Sequence, residues 1–568
     1  MKNVLLSITA LGLMAVCCVS CEKESGPIAP PGNDEVNGAY YKPSTGTDMT
    51  CEFTGPVYDG KELGNSTQDR TTSYTVPETV EIDGKRYTVV SIGDGAFGGY
   101  YNMKSVTLPK TITSIGNNAF GICESLTSID IPESVTSIGD HAFNGCSALS
   151  SIKIPANVSR FGDRMFEGCT SLKTITLPEG LTSLGNMVFG GCTSLESITL
   201  PASLTQIGQG VFDGCENLTS LRVLSSGINL ENLGLYNCRN LTSVELHCKE
   251  VAGLHCESLT ELILGEGVET IGENAFSSCS KLASISFPSS LTTIGNYAFG
   301  ECKSLTSIEI PASVTNMGES VFSGCTGLTS LKVSCKEIGK NAFAGMEYLT
   351  ELVLGEGVET IGEGAFSGCS KLASISFPSS LTTIGNHAFG ECKALTSIGI
   401  PASVTNMGEN VFSGCSGLKS LKVSCKEIGK NAFAWMENLT ELTLGDGVET
   451  IGENAFSSLR SLTEITIPNS VKTIGKDAFS WCENVKSLTI GSGVTYIGAR
   501  AFAGCSVMKD VYCYAEVVPE IPSSQDSMDG PPFEWWHYEN ATLHVPAASV
   551  AAYKAHKEWG QFKNIVAM

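Results

Sequence analysis

Cysteine is the residue type whose spacing in this chain most invites a chemical role. Ten of the 23 cysteines form two series with a constant spacing of 23 residues: Cys123, Cys146, Cys169, Cys192, Cys215 and Cys238, then Cys256, Cys279, Cys302 and Cys325. Such series can supply disulfides or metal ligands, or can form a ladder of small buried side chains. Parallel side chains on adjacent strands rarely reach the disulfide torsion, so the spacing favours buried free thiols.

Two His-Cys pairs, His247-Cys248 and His255-Cys256, place zinc-ligand residue types close together. Internal repeats argue against a zinc site. The segment that begins at Cys248 recurs without a histidine at two further positions, Cys335 and Cys425. Because Cys256 belongs to the regular cysteine series, both cysteines are expected to have structural roles, and no metal site is predicted.

The remaining polar motifs predict neither a reaction nor a cofactor. The acidic, glycine-containing segment 265–269 recurs at 355–359 and 445–449, but copies about 20 Å apart cannot share a calcium ion and indicate turns. The chain has only 7 histidines, and it has no Gly-x-Ser-x-Gly elbow, phosphate loop or zincin motif. We therefore expect a protein that is not an enzyme and that needs no cofactor.

These residues sit in about 19 near-copies of a unit of about 23 residues, which reads Leu-Thr-Ser-Ile-x-Ile-Pro-x-Ser-Val-Thr-x-Ile-Gly-x-x-Ala-Phe-x-x-Cys. A unit this short cannot bury its own apolar face, so the units must stack into a repeat solenoid. Within a unit, alternation over 128–131 predicts a short parallel strand ended by Pro132. The segment 140–146 is expected to form a helical turn that buries Phe143.

The half-unit Ile-Gly-x-x-Ala-Phe-x-x-Cys resembles the BspA-like, or Treponema-type, class of bacterial leucine-rich repeats over about residues 90–510. The resemblance implies a leucine-rich repeat solenoid with irregular or helical turns, capped at both ends. It also implies a cell-surface protein that adheres to host matrix proteins or to other cells.

The predicted organisation has five parts. They are a lipoprotein signal peptide and lipobox at 1–21, a flexible acidic and Pro/Gly/Ser-rich tether at 22–49, an N-terminal cap hairpin at 50–92, the solenoid at 93–512 and a C-terminal cap at 513–568. Residues 265–354 and 355–444 are duplicated blocks within the solenoid.

The first residues carry a secretory pattern of a basic residue and then an apolar run. Val19-Ser20-Cys21 resembles the end of a bacterial lipobox, which implies lipid attachment at Cys21. The following Glu22-Lys23-Glu24 is similar to tags that send some lipoproteins to the outer face of the outer membrane. The prediction is an outer-membrane protein, lipid-anchored and facing the exterior; a plainly secreted protein is the alternative.

A candidate binding face consists of the outward strand positions. These are Asp130, Lys153, Thr176, Thr199, Arg222, Glu245, Ser286, Glu309, Lys332, Ser376, Lys422, Thr443, Thr466 and Thr489. Such a face can bind macromolecules, or it can simply be a solvated sheet surface. The aromatic cluster with Trp535, Trp536 and Tyr538 is a second candidate contact, for a sugar or a peptide, or the packing of a cap.

The predicted function is non-enzymatic binding of an extracellular protein through the sheet face. A glycan-binding protein for polysaccharide capture and a structural spacer without a ligand are the alternatives. The net charge of -23 argues against nucleic acid and against direct binding to an anionic bilayer. Contact with a membrane is therefore expected through the lipid anchor only.

Overall fold

The computed structural model describes residues 34–56, 72–254, 256–521 and 530–568. These residues form a β-solenoid of about 20 turns of about 23 residues, which confirms the predicted repeat solenoid. Most of the turns, or rungs, contribute one strand to a column of mostly four-residue strands and a shorter strand to a second column. We call these columns the wide sheet and the narrow sheet. A segment rich in turns closes each rung.

The wide sheet is parallel and divided into segments, and within a segment each strand pairs with the strand of the next rung. Its register is strict: Thr199 lies opposite Arg222, and Arg222 lies opposite Glu245. Its strands are Ser73–Thr75, Ser105–Thr107, Ser197–Leu200, Ser220–Val223, Ser243–Leu246, Glu261–Leu264, Ser307–Ile310, Ser330–Val333, Glu351–Leu354, Ser397–Ile400, Ser420–Val423, Glu441–Leu444, Glu464–Ile467, Ser487–Ile490, Asp510–Cys513, Thr542–Val545 and Asn564–Ala567.

The narrow sheet is also parallel and consists almost entirely of two-residue strands. It starts from Lys85–Ile92, whose last residues pair with the next rung. Its other strands are Ser114–Ile115, Ser137–Ile138, Arg160–Phe161, Ser183–Leu184, Gln206–Ile207, Glu250–Val251, Thr270–Ile271, Thr293–Ile294, Asn316–Met317, Glu337–Ile338, Thr360–Ile361, Thr383–Ile384, Asn406–Met407, Glu427–Ile428, Thr450–Ile451, Thr473–Ile474 and Tyr496–Ile497.

The core follows from the alternation in these strands. In Ser307–Ile310 the two isoleucines are buried, and Ser307 and Glu309 face solvent. Pro311 follows the strand, where its missing N–H removes no ladder hydrogen bond. Because every rung repeats this pattern, the buried residues form one continuous core along the stack.

A column of phenylalanine rings runs through the core beside the turn segments. Successive rings are stacked, with centroids 5.3 Å apart for Phe120 and Phe143 and 5.6 Å apart for Phe143 and Phe166. The column breaks between Phe212 and Phe276, where Leu233 and Leu254 are among the buried residues. The short 3-10 helices Leu230–Leu233 and Leu235–Asn237 lie in this irregular region.

The turn segment differs from the sequence expectation. The helical turn predicted for 140–146 does not form, because His141 has φ 56° and Gly145 has φ 71°. Two left-handed residues so close together are incompatible with a right-handed helix. The chain instead makes successive tight turns, and Phe143 is fully buried as predicted.

The N-terminal end is more ordered than expected. The flexible tether predicted for 22–49 is wrong from Asp34 onwards, because Asp34–Val36 and Ala39–Pro43 form antiparallel strands and Ala39–Pro43 pairs with Thr50–Pro56. Tyr41 is buried there, 5.6 Å from Phe53. This burial of apolar surface explains why the segment is ordered.

Both ends of the solenoid are covered. At the N-terminal end, Thr79–Ile82 forms an antiparallel hairpin with Lys85–Ile92. At the C-terminal end, the helices Trp535–Asn540 and Val550–Ala555 and the 3-10 helices Ala547–Ser549 and Trp559–Gln561 lie beside the last two wide-sheet strands. Caps of this kind protect core edges that a repeat stack would otherwise expose.

Candidate binding surface

The outward residues of the wide sheet align in rows across the paired rungs. The register places Glu309 opposite Lys332 and Thr466 opposite Thr489, and isolated bridges join Asp130, Lys153 and Thr176. Every residue predicted for this face is at least partly exposed. The structure therefore brings the predicted positions together on one surface.

Five of the predicted face residues lie outside the strands. Asp130, Lys153 and Thr176 make only isolated bridges, so the strand predicted over 128–131 is reduced to a single bridge residue. Within the described part of the chain, no strand forms around Ser286 or around Ser376, although Ser374 makes an isolated bridge with Ser397. Each of these rungs has a phenylalanine at the next position, Phe287 or Phe377, which contacts a ring of the core column edge-on. The regular sheet is interrupted at these two rungs.

Charged pairs cross the rungs of this face. The Arg222 guanidinium donates through Nε and Nη2 to the two carboxylate oxygens of Glu245, at 2.7 and 3.3 Å. His247 Nε2 lies 2.9 Å from the same carboxylate. These hydrogen bonds, that of Arg222 first, lower the pKa of Glu245 below its ordinary value. A bidentate pair of this kind fixes both side chains on the surface.

Two lysines in equivalent positions have different surroundings. Lys332 Nζ donates to Glu309 Oε1 at 2.6 Å. Lys422 occupies the same position in the next duplicated block, where its register neighbours are Gly399 and Thr443. Among the described residues no ion pair involves Lys422, so its ammonium group is available to a partner.

A shallow depression lies on the same face. Its lining includes Thr176, Thr199, Arg222 and Leu224. Hydroxyls, a guanidinium and apolar carbon therefore meet at one place, which is the mixture found at protein-binding surfaces.

Sequence reasoning missed three features of the row. Ile263 lies opposite Glu245, and Val353 lies opposite Lys332, and both side chains are exposed. The rings of Tyr512 and His544 stack at 4.3 Å, and His544 Nε2 lies 3.0 Å from Asp510 Oδ1. Aligning every unit at its third strand position would have found these residues.

The C-terminal aromatic cluster contains some residues that are buried in the cap and others that are exposed. Tyr538 is buried and packs edge-on against Phe562 at 5.1 Å, so the structure removes it from the candidate contacts. Trp535 is exposed, and Trp536 is half-buried. His537 is buried, and this burial lowers its pKa to about 4.

The cysteine ladder has the expected structure of buried free thiols. Eight of the ten members of the two series donate their S–H to a phenylalanine carbonyl of the preceding rung, as Cys123 does to Phe97 at 3.1 Å. Burial raises the pKa of Cys123 to about 12. The thiolate is the reactive form, so these thiols are inert at neutral pH.

The candidate metal and lipid sites are described only in part. His255 and Cys21 lie outside the described residues. His247 interacts with Glu245, and in the described part of the chain no three His, Cys, Asp or Glu side chains are grouped to hold a metal ion. Of the helices described, none has the length and apolar character that crossing a membrane requires.

Solved structures with related repeats include leucine-rich repeat proteins of Bacteroides ovatus and Eubacterium ventriosum. The first is 26% identical, with 84% of this chain and 94% of that chain covered at a TM-score of 0.29. The second is also 26% identical, with 67% and 93% covered at a TM-score of 0.30. The comparison with curated proteins gives no significant match.

A family model described as the BspA type leucine rich repeat region matches residues 78–195, 182–254, 250–346, 336–426 and 426–524. These matches cover most of the chain, and they agree with the period and with the strict register of the two sheets. Repeats of this family suggest a protein-binding surface protein and are typically non-enzymatic. The chain belongs to the BspA-type leucine-rich repeat family.

Proposed function

We propose that this protein is a non-enzymatic adhesin that binds extracellular proteins, on host matrix or on other cells, through the outward face of its wide sheet. The observation that carries the proposal is the aligned row of exposed side chains. Its third strand positions hold four cations, Lys153, Arg222, Lys332 and Lys422, against three anions, Asp130, Glu245 and Glu309.

These third positions have a slight excess of positive charge, whereas the molecule has a net charge of -23 and the first strand positions beside them carry Glu261, Glu351, Glu441, Glu464 and Asp510. The cations of the third positions can contact carboxylates of a partner, which a uniformly acidic surface would repel. The exposed Ile263 and Val353 add apolar contact area between the charged positions. Lys422, which lacks an ion pair within the described residues, supplies a cation for a carboxylate of the partner.

The test is a binding screen of the fragment 34–568 against matrix proteins, followed by charge reversal on the face. Lys332→Glu with Lys422→Glu should weaken binding at least tenfold, because the unpaired cation at Lys422 is lost and both positions then present carboxylates that repel an acidic partner. Lys336→Glu with Lys426→Glu is the matched control, since these lysines precede the narrow-sheet strands of the same two blocks. An equal effect of both pairs would show that only net charge matters and would refute a specific face.

Deletion of residues 355–444 tests whether repeated contacts along the face contribute to the affinity. The new junction would join Leu354 to Gly445, and the same Leu-Gly pair occurs at 354–355 and at 444–445. The shortened solenoid should therefore fold. Affinity for a multivalent ligand should fall, because avidity depends on the number of contacts made together. Unchanged binding by the folded deletion variant would exclude this block from the site.

We further propose that Cys21 carries a lipid anchor that holds the protein on the exterior of the outer membrane. The support is the apolar run and the lipobox-like end before this cysteine. Labelling of cells with a fatty-acid analogue should tag the wild-type protein but not Cys21→Ala. Equal labelling of the two proteins would contradict the anchor and favour a secreted protein.

A further inference from the structure

Three of the five tryptophans of this chain have strongly exposed side chains. The exposed fractions are 63% for Trp435, 51% for Trp481 and 71% for Trp535. Tryptophan is largely buried in most folded proteins, and exposed apolar groups in a defined arrangement mark contact surfaces. Their arrangement in the solenoid shows what kind of contact they suit.

The three tryptophans share one sequence offset from the core column, with Trp435 and Trp481 in the left-handed turns of their rungs and Trp535 at the start of the cap helix Trp535–Asn540. Each follows a ring of the core column by two residues, the rings being Phe433, Phe479 and Phe533. The column continues without a break from Phe433 through Phe456, Phe479 and Phe502 to Phe533, with centroid spacings of 5.5, 5.2, 5.8 and 5.2 Å. Tryptophan therefore recurs on every second rung, at intervals of about 10 Å.

The rungs between them have small residues at this position. These are Ser458, whose side chain is buried, and Gly504. Cε3 of Trp481 would lie 2.9 Å from a Cβ added to Gly504, so this ring rests against the next rung's backbone. Trp435 and Trp481 are thus separated from each other by a rung with a small residue, as are Trp481 and Trp535. Trp535 packs edge-on against Trp536 at 5.9 Å.

The position is unfavourable for a large side chain. Trp435 has φ 69° and Trp481 has φ 62°, both in the left-handed region. Glycine holds this position with positive φ in ten other rungs, including Gly345, the counterpart of Trp435 in the preceding block. Ile122, Glu301 and Glu391 also hold this position with positive φ, so the backbone of the stack imposes the conformation on any residue type, at a cost in strain for the large ones.

A row of polar side chains runs beside the tryptophans. Glu437, Arg460 and Glu483 each follow the tryptophan position of their rung, 435, 458 or 481, by two residues. Arg460 Nη1 lies 3.3 Å from Glu437 Oε1, and Arg460 Nε lies 3.5 Å from Glu483 Oε1. The three side chains are about half exposed. The three side chains therefore offer hydrogen-bond donors and acceptors next to the rings. The charge of Arg460 offsets part of the negative charge of Glu437 and Glu483.

We propose that Trp435, Trp481 and Trp535 bind an extended neutral β-1,4-linked polysaccharide, separately from the protein-binding face. In such a chain consecutive sugars alternate in orientation, so every second sugar presents the same face at a repeat close to the spacing of the rings. The rings stack on the C–H faces of the first, third and fifth sugars. Glu437, Arg460 and Glu483 hydrogen-bond to the hydroxyl groups.

Other ligand classes fit the row less well. The net charge of -23 repels anionic polymers. A protein partner needs a contiguous apolar centre that excludes water, whereas here the rings are separated by about 10 Å. Trp435 and Trp481 lie on turn segments between a narrow-sheet strand and the next wide-sheet strand, and Trp535 lies in the cap helix, so a polysaccharide can bind without covering the wide sheet.

The first experiment measures retardation of the fragment 34–568 in native gels that contain hydroxyethyl cellulose. The variants are Trp435→Gly, Trp481→Gly and Trp535→Ala. Each should weaken binding about three- to tenfold, and the triple variant should lose retardation. Because glycine is the residue of other rungs at 435 and 481, these variants should keep or raise the thermal midpoint of unfolding. Tyr348→Asn, which introduces the residue found at 438, is the control and should bind as wild type.

The second experiment titrates cello-oligosaccharides against the quenching of tryptophan fluorescence. Affinity should rise steeply from the trisaccharide to the pentasaccharide and then level off, because about five sugars are needed to reach all three rings. Unchanged retardation of the folded triple variant, equal affinities for the trisaccharide and the hexasaccharide, or retardation only in gels that contain polygalacturonate would each overturn the proposal.

Discussion

The two duplicated blocks, 265–354 and 355–444, have the same core and different surfaces. They differ at 11 of 90 positions, and none of these positions belongs to the buried apolar core. Stacking requires that every rung present the same interior to its neighbours. The surface is free of that requirement, so the differences between the blocks indicate where one rung can acquire a role that its copy lacks.

Three of these differences alter interactions. Tyr348 lies under the ammonium group of Lys371, at 3.9 Å from the ring centroid, whereas Asn438 donates to the carbonyl oxygen of Ser416 at 2.8 Å. Gly345 is replaced by the exposed Trp435. On the wide sheet, Glu309 is replaced by Gly399, and the pairing of the neighbouring lysine is lost. Each change affects one face and leaves the others unaltered.

The largest effect is expected from removing a core ring, and it should be equal in the two blocks. Phe299 lies 5.3 Å from both of its stacked neighbours, and so does Phe389. Phe299→Ala and Phe389→Ala should each lower the local free energy of unfolding by about 3–5 kcal/mol, because a buried ring leaves a cavity. Hydrogen exchange measured by mass spectrometry should show lost protection in adjacent rungs only. Uniform loss along the chain would refute nearest-neighbour coupling.

Alkaline pH is expected to lower the stability of the folded protein by an intermediate amount. Burial raises the pKa of Cys335 and of its counterpart Cys425 from the ordinary 9.0 to about 12. The unfolded chain therefore ionises these thiols first, so their contribution to stability is complete below about pH 9 and is lost as the pH rises towards 12. Urea denaturation at pH 7, 9 and 10.5 should give falling midpoints, and Cys335→Ala with Cys425→Ala should reduce the fall. Midpoints independent of pH would contradict the burial of these thiols.

The fold and much of the core could be predicted because they depend on residues that recur. Phenylalanine and cysteine at a constant spacing required one interior, and alternation in the strand segment separated buried from exposed residues. The left-handed turns could not be read from positions such as His141 or Arg164, since the residue type there varies from rung to rung while the conformation does not. The backbone of the stack imposes that conformation.

The candidate sites were harder to predict than the fold. The sequence directed attention to Trp535 and Trp536 because they are adjacent in the chain, whereas Trp435 and Trp481 are isolated in sequence and align with Trp535 only after the rungs are superimposed. Tyr538 has the residue type of a contact but is buried by the cap. The residue types indicated the chemistry of the candidate contacts. Which side chains share a surface could be seen only from the stacking of the rungs.

The smallest effect on stability is expected from exchanging Glu309 and its counterpart Gly399 on the wide sheet. A Cβ on Gly399 would meet no atom within 4 Å, so Gly399→Glu should fold and pair with Lys422 as Glu309 pairs with Lys332. Because the pair is exposed, stability should change by less than about 1 kcal/mol. Binding should respond more strongly: if Lys422 contacts an acidic partner, Gly399→Glu should weaken binding, and Glu309→Gly should strengthen it by releasing Lys332. Opposite shifts in affinity at nearly constant thermal midpoints would assign the difference between the blocks to binding, whereas two unchanged affinities would mean that neither lysine contacts the partner.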